Sequence, residues 1–179
     1  PPIENLLKKH NVVIQSDTFW NQWRARQRIE QYQDNILMLG HSGYLKTCRR
    51  ALVYCLDMNE IEYASGEIEL LMEEYQGLQA FPDAVEGLRR LSEKFKLVAL
   101  SNGGQGYLEH LARNNIKIHF ADIISVEIVG MFKPHPSVYR AAAQKLQLEP
   151  GQIMMVAAHS FDVIGARACG FRAAYVNRY

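Results

Sequence analysis

MMVAAHSFDVIGARACGF, residues 154–171, carries the plainest structural signal in the chain. An apolar run, Ile153 to Ala157, stops at a polar turn, His159 to Asp162. A helix of small residues follows. Continuous apolar runs that end in a polar turn and a helix mark the strands of a parallel, buried sheet. Ligands of such sheets sit beyond the carboxyl ends of the strands, so Asp162 stands where chemistry is expected. The turn opens Ala157-Ala158-His159 and offers no carboxylate before Asp162.

The same texture extends outward in both directions. Upstream, Lys96 to Leu100 reads as a buried strand with the turn Ser101-Asn102-Gly103-Gly104, and Tyr107 to Asn114 as a helix. Asp122 to Val126 reads as the next strand. His135-Pro136 starts a helix through Tyr139 and the AAAQKL run. Downstream, Ala173 to Val176 is a last strand, and Tyr179 follows it directly, an abrupt end for a domain. Strands alternating with helices predict an α/β fold, a Rossmann-like parallel sheet with helices on both faces.

Ahead of Phe81-Pro82-Asp83 the pattern differs. Ser16-Asp17 can cap a helix through Trp20, Trp23 and Gln27. Further helices fit Tyr44 to Leu56 and Glu60 to Tyr75. Pro82 suits the first turn of another, with an apolar stripe of Val85, Leu88 and Leu91. The expected organisation is a helical unit over residues 1–80 and an α/β core over 81–179, joined near Pro82.

With 179 residues, 48% of them hydrophobic, the chain can bury one or two small cores. Its 20 basic and 19 acidic side chains balance to +1 and form no like-charged run. Nucleic acid and membrane surfaces are therefore not indicated as partners. No apolar stretch is long enough to span a bilayer. Cys48, Cys55 and Cys169 lack zinc-type spacing and read as reduced thiols of a cytoplasmic protein.

Three strand ends present polar groups: Ser101-Asn102, the segment from Val126 to Lys133, and Asp162. On neighbouring strands they converge, and a hydroxyl, an amide, an ammonium and a carboxylate together can bind and process a small anion. LSNGG, FKPHPSVY and MMVAAHSFDVIGARACGF, in this order, resemble successive motifs of the haloacid dehalogenase superfamily. More narrowly they are similar to the type II (L-2-haloacid) dehalogenases, and WNQWRARQ resembles that family's cap.

The resemblance implies a Rossmann-like core with a helical cap, no cofactor and no catalytic metal. The implied reaction displaces halide from a small anionic 2-haloacid. An aspartate attacks with inversion, and water then hydrolyses the resulting ester. Carried residue by residue, Ser101 holds the substrate carboxylate and Asn102 lies at the mouth of the site. Lys133 neutralises and positions the nucleophile. Tyr139 lies near the site, and Asp162 orients Lys133 and the hydrolytic water. Arg24 receives the leaving halide beside Trp20. His159 and Ala157 stand where a well-studied branch has asparagine and serine. His159 thus has two readings, one acting on the water and one structural. Assembly as a homodimer is compatible with the sequence.

The departure from the family lies at the start. Its nucleophile sits in a pattern close to Asp-x-x-Gly-Thr on the first core strand, and residues 1–179 contain no such pattern. The expectation is a sequence shortened at both ends, with about ten to fifteen further residues before Pro1 supplying that strand and its aspartate. Two alternatives stay open. One is a magnesium-dependent phosphatase of the same superfamily, which needs hard oxygen ligands where this chain has Ala157 and Ala158. The other is a non-catalytic binding protein that kept the fold.

Overall fold

In the computed structural model, which describes residues 2–117 and 120–178, the quoted run forms strand β3 (Met154–Ala157) and helix α8 (Ser160–Ala168). Strand β4 (Arg172–Tyr175) pairs with β3 in parallel, Met154 opposite Arg172 and Ala157 opposite Tyr175. Strand β1 (Val98–Ser101) pairs in parallel with β2 (Asp122–Ser125), Ser101 opposite Ser125. Helices α6 (Gln105–Leu111) and α7 (Pro136–Leu146) return the chain between strands. His135 starts α7 as its N-cap, its ring accepting from the Ser137 amide, with Pro136 at the first helical position.

Residues 2–77 are helical. Helices α1 (Pro2–Lys9), α2 (Ser16–Leu37), α3 (Tyr44–Met58) and α4 (Ser65–Glu73) run into a 3₁₀ turn, Glu74–Gly77. Their apolar faces make one cluster around Phe19, Trp23, Cys48, Leu52, Cys55, Leu56 and Tyr75. Helix α5 (Pro82–Ser92) leads into β1. Smaller clusters fill the rest: Tyr139, Ala143, Ala166 and Phe171 under β3, and Val126, Phe132 and Val138 beside β2. Tyr107 crosses over, packing on the first cluster and donating to Tyr75 O at 2.9 Å.

Among the described residues the strands form two parallel pairs, β1 with β2 and β3 with β4. β1 and β3 each pair along one edge only. Met154 and Val156 are about half exposed (55% and 52%), and α7 and α8 pack against the opposite face of β3. Helix α5 carries its apolar stripe, but none of its residues is buried. Ser16 is the first residue of α2, behind Gln15 at the cap position, with no side-chain capping bond. The helix placed over Glu60 to Tyr75 starts only at Ser65. Glu60 adopts positive φ, and Glu67 turns back to accept from the Ala64 amide at 2.9 Å. Pro1 and Tyr179, the ends of the two expected units, lie outside the described residues.

Candidate active site

Three loops at strand ends meet around Lys133. Its ammonium donates to Leu100 O, near the end of β1, at 2.9 Å and to Asp162 Oδ2, in the first turn of α8, at 2.5 Å. One side chain thereby ties the β1–β2 pair to the β3–β4 pair. Lys133 and Asp162 are 8% and 5% exposed. Charges this deep persist only when paired and hydrogen-bonded. The second carboxylate oxygen supplies that: Tyr139 donates to Asp162 Oδ1 at 2.8 Å. Burial, then the neighbouring Asp162 charge, pushes the Tyr139 phenol well above its ordinary range. It therefore stays a donor at any working pH.

The helix carrying Asp162 approaches Tyr139 closely because residue 165 is glycine. A Cβ there would lie 2.7 Å from Tyr139 Oη and 2.8 Å from Pro134 Cβ. Both neighbours are fixed, the ring by burial and the proline by its own bonds. Gly165→Ala is expected to destabilise the fold by about 1–3 kcal/mol. Activity per folded molecule should also fall, as Tyr139 is pushed off Asp162. Urea denaturation and active-site-normalised rates measure the two effects.

Ser101 ends β1, and its Oγ accepts from the Gly103 amide at 3.4 Å. Ser125 holds the turn from the neighbouring strand by donating to Gly103 O at 2.7 Å. Asn102 is buried and turned toward the helical unit. It donates to Gln31 Oε1 at 3.0 Å and accepts from the Lys133 amide at 2.9 Å. Asn35, one turn after Gln31, makes a two-point bond to the main chain of Phe132, donating to its O and accepting from its N at 2.8 Å each. Helix α2 thus holds the backbone just before the lysine through Asn35, and reaches the Lys133 amide by way of Gln31 and Asn102.

Further toward the start of α2, Arg24 Nη2 lies 2.9 Å from His159 Nε2. A guanidinium only donates, so the imidazole nitrogen accepts. Arg24, Arg28, Tyr32 and His159 line a cavity of about 470 Å³, together with Ala158, Phe161 and Tyr175. Burial, then the Arg24 and Arg28 charges, depress the His159 pKa. Asp162 opposes this, and Lys133 adds to it. His159 therefore sits between the cavity and the lysine–aspartate pair. The Arg24 guanidinium is 5.8 Å from the Trp20 ring, and Trp20 packs edge-on to Trp23 at 5.4 Å.

The residues expected to share one cleft occupy two adjoining places. Lys133, Asp162 and Tyr139 form a buried knot with Leu100 O. Arg24 and His159 wall the cavity, which Ser101, Lys133 and Asp162 do not line. The reason is saturation: Leu100 O and Asp162 draw the lysine inward. Asn102 lies in the seam between helices and core, and Trp20 packs edge-on against Trp23 within α2. Gln31, Asn35, Arg28 and Tyr32 escaped the sequence reading. A trace was present, because the buried stripe Phe19, Trp23, Gln27, Gln31 and Asp34 keeps helical spacing while turning from apolar to polar.

A family model for haloacid dehalogenase-like hydrolases matches residues 4–170. The chain belongs to this family. (S)-2-haloacid dehalogenase 4A of Burkholderia cepacia is 30% identical over 158 residues, covering 87% of this chain and 68% of that protein. Haloacetate dehalogenase H-2 of Moraxella sp. (strain B) is 29% identical over 159 residues, covering 88% of this chain and 70% of its own length. The structure of L-2-haloacid dehalogenase from Xanthobacter autotrophicus with chloropropionic acid covalently bound superposes with a TM-score of 0.87 at 26% identity. It covers 99% of this chain and 71% of that one. Membership in the haloacid dehalogenase-like hydrolases accounts for the parallel strand pairs, the motif order and the helical segment before them.

Proposed function

We propose that this protein hydrolyses small 2-haloacids, releasing halide through an aspartyl-ester intermediate. The observation that carries the reading is the Lys133–Asp162–Tyr139 knot at the end of β1, one turn of α8 from the Arg24–His159 wall. An ammonium held against backbone and carboxylate favours the ionised form of an attacking carboxylate beside it. Asp162 is bound on both oxygens and serves as the orienting partner. The attacking carboxylate, on this reading, is an aspartate presented beside the Lys133 ammonium. Ser101 at the strand end takes the substrate carboxylate. Arg24 and the Trp20 face take the departing halide by charge and desolvation.

The reading also divides the chain into a cap, residues 1–80, and a Rossmann-like core, residues 81–179. The separate apolar clusters of the two parts support this division. Cys48, Cys55 and Cys169 are unbridged, which supports a cytoplasmic setting. Among the described residues no helix is long and apolar enough to cross a membrane.

The test is halide release by the full-length protein from the two enantiomers of 2-chloropropionate. Chloride from the (S) acid, with (R)-lactate as product, is expected. Phosphate release from phosphate esters without any chloride release would overturn the reading. Activity is also expected to survive exhaustive chelation, because two alanines, Ala157 and Ala158, stand where magnesium ligands of the related phosphatases fall. Loss with chelator and recovery on adding magnesium would move the protein to the phosphatase branch.

A further inference from the structure

We infer that His159 is a positioning residue for Arg24: its neutral ring, protonated on Nδ1, accepts from the guanidinium through Nε2 and fixes it in the cavity wall. The inference rests on the dehalogenase reading for what Arg24 does, but not for the contact itself. The two residues are 135 positions apart, and their 2.9 Å contact is the link between α2 and the turn ahead of α8.

The charges around the ring agree with a neutral state. Arg24 and Arg28 face it from α2, Lys133 from the loop after β2, and Asp162 from α8. Among the described residues, Tyr32 and Tyr175 are the other titratable groups on the cavity wall. Among the described residues, partial burial and the Arg24, Arg28 and Lys133 charges outweigh the Asp162 carboxylate and depress the imidazole's proton affinity. The chemistry then follows from lone-pair counting. A neutral imidazole has one acceptor nitrogen. Here that nitrogen is engaged by Arg24, so His159 does not take a proton from the hydrolytic water. Its contribution is to the carbon–halide step, by holding the cation that meets the halide. A cation displaced by about 1 Å can cost about a hundredfold in rate.

Long-range ¹H–¹⁵N spectra of the full-length protein read the tautomer directly. The Nδ1–H form is expected for His159, and Arg24→Ala should raise its pKa because a neighbouring cation is removed. An Nε2–H form, or a pKa indifferent to Arg24, overturns the inference. Neither measurement needs turnover. If the wild type releases no halide from any 2-haloacid, the functional reading fails while this arm still decides the contact.

Rates supply the second arm. His159→Ala should lower kcat about tenfold or more with little change in melting temperature. His159→Asn, which keeps a short side chain with an acceptor oxygen, should recover most of that loss. Neither variant should show a halide burst, because the first chemical step is the slowed one. A burst equal to the enzyme concentration followed by arrest would show that His159 serves ester hydrolysis instead. Wild-type rates in His159→Ala would remove it from the mechanism.

Discussion

Lys133→Met is expected to lower halide release by the full-length protein by about a thousandfold, the scale of losing one preorganised charge at a reacting centre. Methionine approximates the volume of the lysine stem, so packing around Phe132 and Pro134 is largely kept. What goes is the ammonium bonded to Leu100 O and Asp162. The variant then lacks the cation that, on the proposed reading, stands beside the attacking carboxylate. It also leaves Asp162, 5% exposed, with Tyr139 as its remaining side-chain partner. Breaking one side of a buried pair costs about 3–5 kcal/mol in stability. Both effects are measurable: chloride release per folded molecule, and urea denaturation at pH 7. A variant that melts like wild type and turns over within tenfold of it would show the pair to be ornamental to catalysis.

Arg24→Ala should lose about a hundredfold in kcat with a stability change of less than about 1 kcal/mol. Arg24 is only partly buried, so its truncation creates no sealed cavity. Its loss removes the positive charge that, on the proposed reading, meets the halide as the carbon–halogen bond breaks. The defect should shrink from 2-chloro to 2-bromo to 2-iodo acids, since a better leaving group needs less stabilisation. Steady-state kinetics with the three halides measure this gradient. A uniform loss across them would assign Arg24 to substrate binding, and an unchanged kcat would make it a surface cation.

The strand ends were legible in the sequence because they are local. Apolar runs followed by Ser101, Lys133 and Asp162 announce themselves within a few residues. The observed strands Val98–Ser101, Asp122–Ser125, Met154–Ala157 and Arg172–Tyr175 fall within two residues of the expected ones. The polar contacts between the helical part and the core were not legible. Gln31 meets Asn102 across 71 positions and Asn35 meets Phe132 across 97, and no periodicity reports such pairings. Burial on the outer faces was also hidden. Val85 and Leu91 in α5 have the spacing of a core-facing stripe, yet both stay over a third exposed. Spacing states which residues share a face, not what lies against it. The His159–Arg24 contact needed both kinds of information, a turn residue readable locally and a partner fixed only by the docking of α2.

The grip of α2 on the lysine loop bears on how firmly the helices stay docked. Swinging the helices away as a lid would break the two Asn35–Phe132 bonds, the Gln31–Asn102 bond and the bond from His41 N to Gly130 O together. Each net bond is worth about 1 kcal/mol, and buried groups left unpaired cost more. Tyr32, Phe161 and Tyr175, which line the cavity, take part in none of these bonds. Helices that stay docked in this way keep the lysine loop in one register from one molecule of substrate to the next.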